Sequence, residues 1–132
     1  MPALPIAITI TRGTITTMST ETNDGLPRRF LPAFLLLTLD RFGTSYGYEL
    51  CENVQEQGLA VDLAAVYRAM RSMQQHDLVT STWARSESGP DRRLYSLTDA
   101  GHDAAIAASA ELAAIRDGLT AALDRFAVTA ES

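Results

Sequence analysis

The chain has 132 residues, of which 46% are hydrophobic, and a formal net charge of −5. This length and composition allow one domain with a modest core. The lone cysteine, Cys51, excludes an internal disulfide and fits a reducing compartment, and no cysteine cluster is present for zinc. The apolar run over residues 30–39 is too short to cross a bilayer, and no secretory signal is evident. We therefore expect a cytoplasmic protein without a membrane segment, metal or cofactor.

The negative charge is unevenly distributed. Residues 28–98 carry eight Arg and eight acidic residues, whereas residues 99–132 carry two Arg and six acidic residues. An acidic balance opposes binding to nucleic acid, but here most of the excess lies in the last segment. Every Lys-or-Arg position is Arg, which is the better bidentate partner for phosphate and guanine. Residues 28–98 are therefore still compatible with a nucleic-acid-binding surface.

Residues 1–27 differ in composition from the rest of the chain. Ile6, Ile8 and Ile10 alternate against Thr9 and Thr11, which is a strand signal, but one isolated hairpin is marginal in water. Residues 23–27 form a loop signal that ends the segment. We expect residues 1–27 to be a disordered tail, or sequence upstream of the true start, with Met18 as a possible initiator.

Two helices are predicted next. Residues 30–42 read as a helix with Pro32 in its first turn, and their nearly continuous apolar surface requires a core on one side and a partner subunit on the other. Residues 46–57 read as a second helix that ends at Gly58. Within it we expect Tyr48 to pack between helices and Cys51 to be a small buried residue, because nothing basic is predicted nearby to activate the thiol.

A third helix is predicted over residues 63–76, with Asp62 as its N-cap and His76 as a cation at its C-terminus. One face is apolar and carries Leu63, Val66, Met70 and Met73. The opposite face carries Ala64, Arg68, Arg71, Ser72 and Gln75. An amphipathic helix with two Arg and one Gln on its solvent side is suited to contact bases and phosphates in a DNA groove. The alternative is an ordinary solvent-exposed helix face without a binding role. Tyr67, at the edge of the apolar face, fits either role.

Residues 78–85 and 92–97 read as a β-hairpin with its tip at residues 86–91. Arg92 and Arg93 are neighbours on a strand, so they should point to opposite sides, one toward phosphate and the other toward an acid. Trp83, on the first strand, is expected to anchor the hairpin to the core.

The last predicted helix begins after Thr98 as its N-cap and runs over residues 99 to about 128. Its large apolar residues fall close to a heptad seam, which is typical of pairing with another subunit. We expect dimerisation through this seam and the first helix, by Phe30, Phe34, Leu112, Ile115, Leu119, Leu123 and Phe126.

The order helix, helix, hairpin predicts a mainly α fold with a small β-hairpin wing, namely a winged helix-turn-helix over residues 28–98 followed by a C-terminal dimerisation helix over residues 99–132. No nucleophile with a paired base, phosphate-binding glycine loop or carboxylate pair suggests an enzyme. The residues expected to contact double-stranded DNA are Tyr67, Arg68, Arg71, Ser72, Gln75, Arg92 and Arg93.

Five short motifs, taken together, resemble the PadR family of transcriptional regulators. They are Tyr-Gly-Tyr-Glu at residues 46–49, Val-Tyr-Arg at 66–68, Thr-Ser-Thr-Trp at 80–83, Gly-Pro-x-Arg-Arg-x-Tyr at 89–95 and Leu-Thr-x-Ala-Gly at 97–101. The resemblance implies a homodimeric repressor with its third helix in the major groove, its wing on adjacent phosphate or minor groove, and a small-molecule effector of unknown identity near the dimer interface.

Three positions depart from the family pattern. Ala64 and Ala65 stand where the family has a glycine and a small hydroxyl residue, and Asp91 stands where it often has a second proline. Together with the acidic balance, these departures support a second hypothesis, in which a winged-helix module binds other proteins and has lost strong DNA binding.

Overall fold

A computed structural model describes residues 25–85 and 89–127, so the predictions for residues 1–24 and for the hairpin tip at residues 86–88 lie outside the described residues. The elements in chain order are α1 (Leu31–Phe42), β1 (Ser45–Tyr46), α2 (Gly47–Glu56), α3 (Leu63–Gln75), β2 (Val79–Ala84), β3 (Arg92–Leu97) and α4 (Asp99–Arg125). The predicted mainly α fold with a small wing is confirmed.

The boundaries of α1 follow from local signals. A single 3-10 turn, Arg28–Phe30, precedes the helix. Pro32 lies in the first turn of α1, where an N–H group would have no partner within the helix, so its absence costs nothing. The helix ends at Gly43, whose φ of 85° favours glycine, and the Gly43 N–H donates to the carbonyl of Leu39 at 2.8 Å. The helix therefore begins one residue later than predicted and ends as predicted.

The turn between α2 and α3 is held by hydrogen bonds at both ends. Gly58, with φ of 108°, lies just beyond α2, and the Gln55 side-chain amide donates to the Val61 carbonyl at 2.7 Å. The Asp62 carboxylate accepts the Ala65 N–H at 2.9 Å, which confirms the predicted N-cap. Leu59, inside the turn, is buried. These contacts fix the orientation of α3 relative to α2.

The sheet has three antiparallel strands in the order β1-β3-β2, whereas the sequence predicts only two. Val79 pairs with Leu97 at the base of the hairpin and Ala84 with Arg92 near its tip. The additional strand is only two residues long and pairs with the middle of β3. Consequently α2 begins at residue 47 rather than at the predicted residue 46, because Tyr46 belongs to the strand.

The core lies between α1, α2, α3 and the base of the hairpin. Cys51 is buried, as predicted, and burial raises the pKa of its thiol. The side chains that are almost completely excluded from solvent are Leu35, Leu39, Leu50, Val54, Leu59, Val66, Met70 and Val79. They come from α1, α2, α3, β2 and, for Leu59, the turn between α2 and α3. The apolar face of α3 is therefore anchored in the core, and its opposite face is left to solvent.

The start of α4 is joined tightly to the base of the hairpin. The hydroxyl of Thr98 accepts the Gly101 N–H at 2.9 Å and donates to the carbonyl of Asp77 at 2.6 Å. The Thr98 N–H donates to the carbonyl of Leu78 at 3.0 Å. Gly101 is buried against that same carbonyl, with no room for a side chain. The predicted N-cap is confirmed, and it also locks the helix to the strand.

Only the first part of α4 is covered by the rest of the described chain. Its buried residues are Gly101, Ala105 and Ala108, which face the domain at spacings of four and three. The helix has 27 residues, which corresponds to a length of about 40 Å. The second half of the helix therefore projects beyond its own domain. The helix ends at Arg125, with Phe126 as its C-cap, about three residues before the predicted end near residue 128.

Candidate nucleic-acid interface

The solvent face of α3 is polar and continuous. Its exposed side chains recur at spacings of three and four residues, as expected for one face of a helix. They are Ala64, Tyr67, Arg68, Arg71, Ser72 and Gln75. All five α3 residues predicted to contact DNA are thus on the exposed face.

A groove runs between α3, the start of α2 and the wing. It is open to solvent and has a volume of about 390 Å³. Aromatic rings and guanidinium groups dominate its walls. The lining residues are Tyr46, Gly47, Tyr48, Tyr67, Arg71, Gln74, Trp83, Pro90, Asp91, Arg92, Arg93 and Tyr95.

Four of the predicted contact residues line this groove, and three do not. Tyr67, Arg71, Arg92 and Arg93 are brought together from helix and strand. Arg68, Ser72 and Gln75 stay on the exposed face of α3, outside the groove. The groove and the helix face are adjacent because Tyr67 and Arg71 belong to both.

The two wing arginines contact different aromatic rings. The Arg92 guanidinium carbon is 5.5 Å from the Tyr46 ring centroid, and that of Arg93 is 5.2 Å from the Trp83 ring centroid. The two rings belong to the strands on either side of β3. This arrangement agrees with the predicted opposite orientation of neighbouring strand residues. The aromatic faces restrict the two guanidinium groups without consuming their hydrogen-bond donors.

Tyr95, rather than Trp83, anchors the hairpin. The prediction for Trp83 is wrong, because this side chain is 65% exposed, whereas Tyr95 is buried. Both residues lie on the same face of the hairpin by register, but Tyr95 pairs with Ser81 and Ser45 near the base, where α3 packs against the sheet. The Ser81 hydroxyl donates to the Gln74 side chain on α3 at 3.3 Å.

The environment of Tyr95 also shows which charges are close to it. Burial raises the pKa of the Tyr95 phenol, and the nearby positive charges of Arg93 and Arg71 act in the opposite direction. One guanidinium belongs to the wing and the other to α3. Each side of the groove therefore brings one positively charged group close to Tyr95.

Two further tyrosines line the start of α2. The prediction that Tyr48 packs between helices is wrong, because it is 61% exposed. Its phenol hydrogen-bonds to Glu52, and this bond with the carboxylate charge raises the pKa of Tyr48. The Tyr67 ring, in contrast, lies directly over Gly47, where a Cβ atom would overlap it. The glycine thus lets α3 and α2 approach each other closely at the groove floor.

The residues predicted for dimerisation fall into two groups. Phe30 and Phe34 are half-buried against their own core and stack on each other, with ring centroids 6.5 Å apart. On α4, Leu112 and Ile115 are half-buried, whereas the last three are exposed, namely Leu119 (61%), Leu123 (70%) and Phe126 (71%). Leu119 and Leu123 lie on the half of α4 that projects from the domain, and Phe126 is the C-cap residue of that helix.

Neither a metal site nor a membrane span emerges from the described residues. Across residues 25–85 and 89–127, no group of three or more His, Cys, Asp or Glu side chains could hold a metal ion. None of the helices within these ranges is both long and apolar enough to cross a membrane. His76 lies at the end of α3, and its ring nitrogen is 2.8 Å from the Ser72 carbonyl oxygen.

The helical core, the wing and the intervening groove define a winged-helix protein. The family model of the transcriptional regulator PadR-like family matches residues 35–107, which is more than half of the chain. The chain therefore belongs to the PadR-like family of transcriptional regulators. The resemblance read from its motifs is confirmed.

Solved structures share this fold. A PadR-like regulator from Bacillus cereus is 24% identical, with a TM-score of 0.64 over 72% of this chain and 92% of that one. A PadR family regulator from Eggerthella lenta is 26% identical, with a TM-score of 0.59 over 73% and 84%. PadR of Bacillus subtilis, solved with operator DNA, is 22% identical, with a TM-score of 0.53 over 60% of this chain and 46% of that one. No curated protein matches the chain.

Proposed function

We propose that this regulator binds operator DNA as a homodimer and represses transcription by occupying promoter DNA. Each α3 helix would enter a major groove, with the wing on the neighbouring backbone. The observation that carries this proposal is the groove that joins the exposed face of α3 to the wing, with Arg71 on one side and Arg92 and Arg93 on the other. Because a DNA regulator acts where the chromosome is, we place the protein in the cytoplasm.

The chemistry of the exposed residues supports DNA as the ligand. Arg68, Arg71 and Gln75 are residue types that hydrogen-bond to base edges or phosphates, and all three are exposed on one helix face. A relative from Bacillus subtilis has been solved with operator DNA. The negative charge concentrated in residues 99–132 lies outside the helix and wing that would approach DNA.

The proposal is tested by fluorescence anisotropy of a labelled duplex from the region upstream of the protein's own gene. The titration is repeated at two salt concentrations, with a scrambled duplex as the control. We expect preference for the native duplex and a steep loss of affinity as salt rises, because phosphate contacts release counterions. If no duplex binds even at low salt, the protein-interaction module becomes the better explanation.

Homodimerisation would occur through the projecting half of α4. The buried stripe of Gly101, Ala105 and Ala108 continues at the same spacing into larger apolar side chains that are progressively exposed. We propose that a second copy covers this continuation, which consists of Leu112, Ile115, Leu119, Leu123 and Phe126. Two half-buried side chains, Phe30 in the 3-10 turn and Phe34 on α1, would lie at the edge of the same interface.

Replacing Leu119 and Leu123 together with Glu should raise the dimer dissociation constant by at least about 100-fold, because two charges would enter an apolar interface. Sedimentation equilibrium measures the change. The matched control is Ala114→Glu with Ala121→Glu, which adds the same charge on the opposite, exposed face of α4. A double variant at residues 119 and 123 that remains dimeric would exclude this stripe as the interface.

Repression could be relieved by an effector or partner that changes the angle between subunits. A changed angle alters the spacing of the two α3 helices and so weakens binding to two fixed half-sites. The measurement is DNA affinity with and without candidate compounds. If no compound alters the affinity, regulation by an effector is not supported.

A Gly47→Ala substitution should weaken DNA binding about fivefold while leaving the fold stable, because about 1 kcal/mol of binding free energy is at stake. The added methyl group would overlap the Tyr67 ring, which can rotate toward solvent and so leave the groove floor. Anisotropy gives the affinity and thermal unfolding gives the stability. Tyr67→Phe, which keeps the ring and removes only the hydroxyl, shows how much of the loss belongs to the hydroxyl. Equal affinity of Gly47→Ala and wild type would contradict a role of Tyr67 in DNA binding.

A further inference from the structure

Trp83 is the one tryptophan in the chain and is 65% exposed on the wing. Because most of its indole is left in water, Trp83 contributes little hydrophobic free energy to the fold. It does not serve the core, because Tyr95 fills the buried position on the same face of the hairpin. The residues proposed to bind operator DNA do not include it.

The surroundings of Trp83 are cationic. Its cross-strand partner is Arg93, whose guanidinium lies over the indole ring at 5.2 Å from the centroid. The same groove contains Arg71 on α3 and Arg92 on the wing. One face of the indole is therefore occupied by a cation, while the remaining surface stays open to the groove.

We infer that Trp83 contacts the sugar–phosphate backbone of DNA and holds Arg93 in position on a phosphate. The indole edge and free face offer an apolar surface for deoxyribose and one N–H donor for a phosphate oxygen. The cation–π contact with the indole restricts Arg93 before DNA arrives, which lowers the entropy lost on binding. This inference rests on the proposed function.

The charge of the groove favours DNA over an apolar protein segment as the occupant of this surface. Among the described residues, Arg71, Arg92 and Arg93 line the groove with a single carboxylate, Asp91, so positive groups outnumber negative ones, which suits a polyanion. The groove also borders the exposed face of α3, so backbone contacted by Trp83 would be continuous with DNA read by that helix. Binding of a protein partner instead of DNA is one outcome of the test.

The test uses the intrinsic fluorescence of this tryptophan in the full chain. Unlabelled native duplex is added, and quenching by acrylamide is measured before and after saturation. We expect the duplex to shield the indole and lower the quenching constant. Because the chain has no other tryptophan, the signal reports Trp83 alone.

Affinity measurements on variants complete the test. Trp83→Ala should weaken DNA binding about tenfold. The slope of log affinity against log salt concentration should change by less than about 0.9, the value of one phosphate contact, because no charge is removed. Phe42→Ala is the matched control, since Phe42 is 55% exposed and carries Arg41 over its ring at 5.5 Å, but lies outside the groove. Its affinity should equal that of wild type.

The outcomes separate the two proposals. Labelled DNA that binds while Trp83 remains fully quenchable overturns the contact and leaves the proposed function standing. Failure of every duplex to bind overturns the proposed function, and the contact with it. Unchanged affinity in folded Trp83→Ala, verified by circular dichroism, also overturns the inference, and would point to a protein partner for this face.

Discussion

Substituting alanine for Gly101 is expected to lower the free energy of unfolding by at least about 3 kcal/mol, because the added methyl group has no space to occupy. A Cβ atom at this position would overlap the carbonyl oxygen of Leu78 and approach Leu97 Cδ2 to 3.0 Å. The obstacle is backbone, which cannot rotate away. That carbonyl already accepts the N–H of Thr98, so moving it would also disturb the joint between hairpin and helix.

Thermal unfolding provides the measurement, and the melting temperature should fall by more than about 10 °C. Gly118→Ala is the control on the same helix, because nothing lies within 4 Å of a Cβ atom there. That change should stabilise the protein by about 0.5–1 kcal/mol through helix propensity. If Gly101→Ala melts like the wild type, the close approach of α4 to Leu78 does not exist in solution.

The second large effect is expected for Arg68→Ala combined with Arg71→Ala, which should weaken binding to the operator at least about 100-fold. Both side chains are exposed on α3, so their removal deletes base or phosphate contacts without opening the core. Log affinity falls linearly with log salt concentration, and each lost contact to phosphate should make that slope shallower by about 0.9. Anisotropy over a salt series measures both quantities.

The control for this double variant is Arg41→Ala with Arg116→Ala. It removes the same charge from exposed positions outside the groove, on α1 and α4. Affinity within about twofold of wild type is expected, because distant charges are largely screened at physiological salt. Equal losses in both double variants would mean that net charge, rather than the α3 face, governs binding.

Helix boundaries could be predicted from the sequence because their causes are local. Asp62 and Thr98 accept the N–H three residues ahead in the first turns of α3 and α4, and Gly58 supplies the positive φ beyond α2. Each of these interactions joins residues at most four positions apart, so it can be recognised from the local sequence alone. The strand β1 was not predicted because two residues, Ser45 and Tyr46, are too few to show alternation.

The roles of the aromatic residues in the groove could not be predicted in the same way. Trp83 and Tyr95 share one face of the hairpin, and the sequence does not reveal which of them α3 will cover. Their different burial depends on where α3 crosses the sheet, a long-range property. For the same reason, Tyr46, Tyr48 and Gln74 line the groove although they are not among the residues predicted to contact DNA. Solvent exposure of the α3 residues, in contrast, followed from helical periodicity.

The joint at Thr98 and Gly101 has a mechanical consequence. Because α4 is continuous from residue 99 to residue 125 and is pinned at its first turn, it behaves as a lever whose fulcrum is the base of the wing. A tilt of about 5° at the fulcrum displaces the far tip of a helix of this length by about 3.5 Å. In a dimer joined through the C-terminal ends of α4, small movements at these ends would change the angle between the two winged domains. In the proposed dimer, the rigidity of the contacts at Thr98 and Gly101 would thus determine how constant the spacing between the two α3 helices stays.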